Sequence, residues 1–153
     1  MPLIIPDKLP AAGALKDDNI FTMNRARAAS QDIRPLKVII VNLMPTKIAT
    51  ETQLARVLAN SPLQIEMQLV GMDSHTSTHT SQDHLESFYT TLDEFKHEYF
   101  DGMIITGSPV EQMNFEDVDY WPELCEIFEF AKTHVYSNMF ICWGAQAALN
   151  YYY

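Results

Sequence analysis

The sequence predicts an α/β fold in which a mostly parallel, doubly wound sheet carries helices on both faces. Residues 37–43 and 102–106 are nearly continuous apolar runs rich in β-branched side chains, which is typical of strands buried on both faces of a parallel sheet. Segments with helical spacing of apolar residues alternate with these strands along the chain. Such alternation builds right-handed crossovers between parallel strands.

Residues 1–36 are expected to form an irregular N-terminal arm with a short helix near residues 11–15, because prolines are frequent and the middle of the segment has mixed charge. The α/β domain is then expected to occupy residues 37–153. Its first strand is predicted at 37–43.

The segment 48–60 is predicted to be a helix with Leu54, Val57 and Leu58 on its buried face. Apolar and polar residues alternate over 63–69, which predicts a half-exposed strand near a sheet edge.

The polar segment 73–83 predicts a surface loop, and 84–98 predicts one or two short helices. Asp119 is a candidate N-cap for a helix that carries apolar residues from Trp121 to Val135. A last strand, 138–141, leads into Cys142.

Composition limits the possible functions. The chain has 153 residues, of which 47% are hydrophobic, enough for one domain with a core. Its net charge of −10 argues against nucleic acid or an anionic membrane as a partner. No apolar run approaches the ~20 residues of a membrane span, and no secretion signal is apparent at the N-terminus. The two cysteines fit a reducing, cytoplasmic location.

Cys142 is the strongest candidate for a catalytic residue. An apolar run ends at this cysteine, and Trp143, Gly144 and a helix-prone stretch follow. A sharp strand-to-helix turn exposes the residue at the turn and places a helix N-terminus behind it, which favours a thiolate. Cys125, by contrast, lies on an apolar helical stripe and is expected in the core.

Ligands bind at the carboxyl ends of parallel strands, so the segments 44–47, 106–111 and 142–144 should converge. A backbone N–H near Gly107 or Ser108 could then pair with that of Trp143 to form an oxyanion hole.

Two charged residues follow the other strand ends. Lys47 could bind a phosphate or stabilise a developing anion. Glu111, if it projects into a substrate pocket, would repel a substrate that carries a carboxylate. His75, His79 and His84 lie in a polar stretch and are expected to be solvated, so no metal site is predicted.

Longer strings in the sequence resemble the bacterial homoserine O-acyltransferases, the O-succinyl- and O-acetyltransferases of methionine biosynthesis. The resemblance covers almost the whole chain. It is carried by QDIRPLK (31–37), NLMPTK (42–47), ETQL (51–54), NSPLQ (60–64), FDG (100–102), TGSPVE (106–111), VDYW (118–121) and ICWGAQA (141–147).

This resemblance implies a fold similar to class I glutamine amidotransferases and an acyl thioester on Cys142, formed from an acyl-CoA cosubstrate and passed to L-homoserine. It implies that Lys47 is an active-site cation and that glutamate at position 111 goes with acetyl-CoA, whereas glycine goes with succinyl-CoA. No bound cofactor is expected, and the full-length enzyme is expected to be a cytoplasmic homodimer. The family's catalytic histidine and glutamate match no position here, so the chain is expected to be an incomplete domain that is inactive alone.

Several alternatives stay open at this point. The donor could be succinyl-CoA, and the acceptor could be serine. A glutamine amidotransferase-like hydrolase is disfavoured, because Phe140 stands where that group usually has glycine. The chain could also act only as a binding module.

Overall fold

A computed structural model describes residues 2–75 and 79–153, and its central feature is one seven-stranded sheet in which every pair of strands is parallel. The strands lie in the order β2-β1-β4-β3-β6-β7, and β5 also pairs with β4. The strands are β1 (Leu3–Ile4), β2 (Thr22–Met23), β3 (Leu36–Val41), β4 (Ile65–Val70), β5 (Tyr89–Thr90), β6 (Phe100–Ile105) and β7 (Val135–Phe140).

Helices connect these strands, as the sequence predicts for an α/β protein. A short 3-10 helix, Phe115–Asp117, lies between β6 and β7. The α-helices are α1 (Pro10–Asp17), α2 (Arg25–Ala29), α3 (Lys47–Ala59), α4 (Gln82–Phe88), α5 (Leu92–Phe95), α6 (Trp121–His134) and α7 (Trp143–Tyr152). None of the helices in residues 2–75 and 79–153 is long and apolar enough to cross a membrane.

The two faces of the sheet are covered by separate apolar clusters. In β3, Ile39 packs with residues of β6, α6 and α7, whereas its neighbour Ile40 packs with residues of β4, α1 and α3. Successive side chains of a strand point to opposite faces, so both faces of β3 are buried. This confirms the prediction from the apolar run, and the carboxyl end of β3 is therefore fixed from both sides.

The N-terminal segment is not irregular, which corrects the expectation for residues 1–36. It contains β1, α1, β2 and α2, and Leu3 and Ile4 are buried where β1 pairs with the start of β4. The expected short helix is present as α1, which packs against α3. Two-residue strands are too short to show an alternating pattern, so only the helix was predictable. The division into an arm (1–36) and a domain (37–153) remains a prediction.

β4 lies inside the sheet, not near its edge as the alternating pattern suggested. Its half-buried polar residues find partners there: Glu66 pairs with Arg25 of α2, and Gln68 Nε2 donates to Thr90 Oγ1 at 3.1 Å. Because these polar side chains have partners, β4 can lie between two other strands despite its alternating pattern.

The buried face of α3 also differs from the prediction. Val57 is 72% exposed, and the buried positions are Lys47, Glu51 and Ala55, although Leu54 and Leu58 do pack against the core. The first turns of α3 therefore bury charged groups at the carboxyl end of the sheet.

Candidate active site

Cys142 forms the predicted elbow between β7 and α7. It is the N-cap residue of α7, with a φ of 53° and a ψ of −121°, and its side chain is exposed. A non-glycine residue at positive φ costs on the order of 1–3 kcal/mol, so the surrounding structure must impose this conformation. Among the described residues only Asn19 shares a positive φ outside glycine, and asparagine tolerates it well.

Backbone contacts with the end of β6 hold the elbow. The N–H of Ile141 donates to the carbonyl oxygen of Ile105 at 3.0 Å, and that of Gly144 donates to Ile141 at 2.9 Å. A Cβ atom at Gly144 would lie 2.6 Å from the carbonyl oxygen of Thr106. Only glycine therefore lets the start of α7 approach β6 this closely.

The loop after β6 lies directly beside the thiol. A Cβ atom at Gly107 would be 3.1 Å from Cys142 Cβ and 3.6 Å from its Sγ. The strand ends of β6 and β7 therefore converge as the parallel topology predicts.

The side chain of Thr106 connects this pair of strand ends to β3, a role that the sequence pattern did not indicate. Its Oγ1 accepts the N–H of Leu43 at 2.8 Å and donates to the carbonyl oxygen of Gly107 at 3.1 Å. Its own N–H donates to Val41 at 3.1 Å. A threonine at a strand end gives no distinctive pattern, which is why only the structure shows this role.

The Ser108 side chain is buried and hydrogen-bonded, because its Oγ lies 2.6 Å from the hydroxyl of Tyr120. The buried ring of Tyr120 meets the ring of Trp143 edge-on, with centroids 6.2 Å apart. Burial raises the pKa of Tyr120, so its hydroxyl stays protonated. Tyr120 thus connects two of the three residues expected to form an oxyanion hole.

Lys47 is buried at the carboxyl end of β3, with 8% of its surface exposed. Its Nζ donates to the carbonyl oxygens of Asn42 at 2.7 Å and Met44 at 3.3 Å. Burial lowers the pKa of Lys47 to about 8, although the negative charge of Glu51 acts in the opposite direction. Such a group is poised to change charge near neutral pH, as functional lysines often are.

A cavity of about 240 Å³ lies beside Lys47 and is bounded by Tyr120, Tyr89 and His75. Tyr120 therefore stands between this cavity and the Trp143 side of the elbow. Within the described residues, no hydrogen bond or ion pair joins Lys47 to Cys142. Lys47 follows β3 and Cys142 follows β7, and β6 lies between these two strands in the sheet.

Glu111 is exposed in the turn after β6. Its carboxylate forms no hydrogen bond or ion pair with any residue in 2–75 or 79–153. Its expected position in an acyl pocket therefore remains a prediction.

The histidines behave differently from one another. His75 and His79 are exposed as expected, and His75 Nδ1 lies 2.7 Å from Asp119 Oδ2. His84 is only 7% exposed and contacts the fully buried Glu51, so the expectation that it is solvated was wrong. In the part of the chain that the structure describes, no group of three or more His, Cys, Asp or Glu residues is arranged to hold a metal ion.

Two smaller expectations also need correction. Cys125 is only partly buried on α6, although burial still raises the pKa of its thiol. Asp119 does not cap α6. The helix begins at Trp121, so Tyr120 is its N-cap residue, and no side chain makes a cap hydrogen bond there. The Asp119 side chain instead accepts from the N–H of Tyr120 and contacts His75.

The sheet is parallel and Cys142 lies on a strained strand-to-helix turn, which is the geometry of a nucleophile elbow. The chain belongs to the homoserine O-succinyltransferase family, whose sequence model matches residues 2–153.

Curated relatives agree with this assignment. The chain is 60% identical to "Homoserine O-acetyltransferase 1" of Ilyobacter polytropus over 153 residues, which are 100% of this chain and 51% of that protein. It is 60% identical to the homoserine O-acetyltransferase of Catenibacterium mitsuokai and 59% identical to that of Clostridium novyi, again over its whole length and over 49% and 51% of theirs. The chain therefore spans about half the length of the curated relatives it matches.

Substituting alanine for Gly144 should destabilise the chain by about 1–3 kcal/mol, because the new Cβ atom would overlap the carbonyl oxygen of Thr106. Urea unfolding monitored by circular dichroism measures this change.

Gly13→Ala is the matched control. Nothing lies within 4 Å of a Cβ atom at Gly13 in α1, and alanine in a helix should stabilise by about 0.5–1 kcal/mol. Equal effects of the two substitutions would contradict the close approach at Gly144.

Proposed function

We propose that the complete gene product containing this chain is a homoserine O-acetyltransferase of methionine biosynthesis, and that Cys142 carries the acetyl group as a thioester. The observation that supports this most is the exposed thiol of Cys142 on a strained elbow, with the backbone of Gly107 beside it. The family match and the names of the relatives support the same activity.

In the first half of the proposed reaction, the Cys142 sulfur attacks the carbonyl carbon of acetyl-CoA. The carbonyl oxygen becomes an oxyanion next to the N–H of Trp143. Trp143 is the first residue of α7, so its N–H has no acceptor within the helix. A backbone N–H of Gly107 or Ser108 would supply the second hydrogen bond. The intermediate then collapses and the C–S bond to coenzyme A breaks. Coenzyme A leaves as the free thiol, with the proton that the Cys142 thiol gives up, and an acetyl thioester remains on Cys142.

In the second half, the hydroxyl of L-homoserine attacks this thioester. Its oxygen forms the new ester bond, its proton passes to a general base, and the Cys142 sulfur leaves. No imidazole in residues 2–75 or 79–153 hydrogen-bonds Cys142. We therefore propose that the chain alone does not turn over and that the base is a histidine elsewhere in the gene product, as the family resemblance implies.

The acyl donor is the finer part of the proposal. The relatives are named acetyltransferases, whereas the family description names succinyl transfer. We favour acetyl-CoA because the exposed carboxylate of Glu111 would repel the free carboxylate of a succinyl group. In water this repulsion is only about 1 kcal/mol at 4 Å, so strong discrimination requires that the bound donor exclude water around Glu111. Cytoplasmic location and a homodimer remain predictions.

Replacing Cys142 by alanine should reduce acetyl transfer to homoserine by on the order of 10³-fold or more, because no thioester can form. The measurement is product formation by the complete gene product, followed by mass spectrometry. Cys125→Ala is the control and should keep full activity, since Cys125 lies partly buried on α6. Equal loss in both variants, or none in Cys142→Ala, would disprove the nucleophile.

Glu111→Gly and Glu111→Gln should each raise the use of succinyl-CoA relative to acetyl-CoA, as measured by competition between the two donors. Removing the charge removes the repulsion, and roughly 1–3 kcal/mol of discrimination corresponds to a change of about 5- to 150-fold. A change in the glycine variant alone would indicate that size, not charge, selects the donor. No change in either variant would rule out a gate at this position.

A further inference from the structure

Five buried or half-buried polar side chains form a continuous cluster at the carboxyl end of β3, and the reaction steps proposed above use none of them. They are Asn42, Lys47, Glu51, His84 and Tyr89. Glu51 is 0% exposed. A buried charge is costly unless it is paired and hydrogen-bonded. The partners of Glu51 must therefore compensate the cost of burying its carboxylate.

Glu51 is the centre of the cluster. Its Oε1 accepts the hydroxyl of Tyr89 at 2.6 Å, and both of its carboxylate oxygens lie within hydrogen-bonding distance of His84 Nε2, at 3.0 and 3.2 Å. Burial, and next the charge of Glu51, hold the pKa of Tyr89 well above its usual value. The phenol therefore stays protonated and donates to the carboxylate.

The same phenol connects Glu51 to β3. Asn42 Nδ2 donates to the Tyr89 hydroxyl at 2.8 Å and to the carbonyl oxygen of Lys47 at 3.3 Å. Asn42 Oδ1 accepts the N–H of Met44 at 3.2 Å. One side chain thus braces both ends of the turn 42–47.

That turn encloses the Lys47 ammonium. The carbonyl oxygens of Asn42 and Met44 accept two of its three N–H groups, and the ring of Tyr89 lies below it, with Nζ 5.5 Å from the ring centroid. Lys47 also lines the 240 Å³ cavity. The third N–H has no acceptor among the described residues and can reach a group in this cavity.

We propose that Glu51, Tyr89 and Asn42 are positioning residues that hold the Lys47 ammonium at the cavity, where it binds an anionic oxygen of the substrate or of the developing intermediate. The inference rests on the proposed function and adds Lys47 to it as the active-site cation. Glu51 acts through charge, and Tyr89 and Asn42 act through the shape of the turn.

The negative charge of Glu51 keeps Lys47 protonated up to a higher pH. The pKa of Lys47 is about 8, lowered by burial and raised by Glu51, so its charge is lost as the pH rises through 8. Removing the charge of Glu51 removes the raising contribution and moves this loss to lower pH. The other titratable groups near Lys47 are His84 of α4, which contacts Glu51, Tyr89 of β5, which lies against the ammonium, and the further groups that line the same cavity, which are Asp73, His75, Glu86 and Tyr120.

Heteronuclear NMR of the lysine ¹³Cε and ¹⁵Nζ atoms across a pH titration of the chain tests this effect of Glu51. In Glu51→Gln the pKa of Lys47 should fall below the wild-type value of about 8. In the control Glu98→Gln it should not move, because Glu98 is an exposed partner of Lys37. An unchanged pKa of Lys47 in Glu51→Gln would overturn the assignment of Glu51.

Tyr89→Phe tests the turn while it keeps the charge of Glu51 and the aromatic ring. Without the hydroxyl the Asn42 side chain loses a partner, so the Met44 amide should exchange its hydrogen roughly tenfold faster. The Ile40 amide in the middle of β3 should exchange at its wild-type rate. Equal acceleration at both amides, or none at Met44, would overturn the proposal.

If Glu51→Gln does not fold, the exchange result in Tyr89→Phe decides the proposal by itself. Neither measurement depends on turnover. A negative result in these two measurements does not contradict the thioester mechanism. Conversely, loss of acetyl transfer would not account for a change in the pKa of Lys47.

Discussion

The site depends on one close contact, in which the carboxyl end of β6 lies directly against the Cys142 turn. Gly107 meets the cysteine from one side, and Gly144 lets α7 begin against the carbonyl oxygen of Thr106. A Cβ atom would be tightly packed at Gly107 and would overlap this carbonyl oxygen at Gly144. The parallel register of β6 with β7 brings these segments together, and the backbone hydrogen bond from Ile141 to Ile105 extends that register into the turn.

The strained conformation of Cys142 is balanced by packing around it. Trp143, the next residue, is almost fully buried against the ring of Tyr120, and Ala147 and Ala148 of α7 lie in the core beside α6. A helix anchored in this way cannot relax its first turn without losing apolar contacts, and burial of one large apolar side chain is worth about 1.5–3 kcal/mol. The contacts of Trp143 and the two alanines together therefore offset the cost of one unfavourable φ.

Much of this arrangement was predictable from local patterns. An apolar run that ends at Cys142 and continues as Trp143-Gly144 specifies a strand, a tight turn and a helix, since only glycine fits so close an approach. The alternation of strands and helices then placed Gly107 at the same end of the sheet. These inferences need only neighbours in sequence and the handedness of βαβ connections.

The features that were not predictable depend on distant partners. His84 stands in a polar stretch, and only the fold brings it to Glu51, 33 residues away. β4 alternates like an edge strand, yet Arg25 and Thr90 supply partners for its polar face. β1 is too short to show a period and gains its order from pairing with β4. In each case, residues distant in sequence supply the partners of a segment that its local pattern predicts to be exposed or irregular.

The most direct test of the central claim is the mass of Cys142 after the complete gene product has been incubated with acetyl-CoA in the absence of homoserine and quenched in acid. The account predicts one added acetyl group, located on the peptide that contains Cys142 and lost when homoserine is then supplied. An enzyme that forms O-acetylhomoserine once homoserine is supplied, although Cys142 gains no acetyl group in its absence, would contradict it.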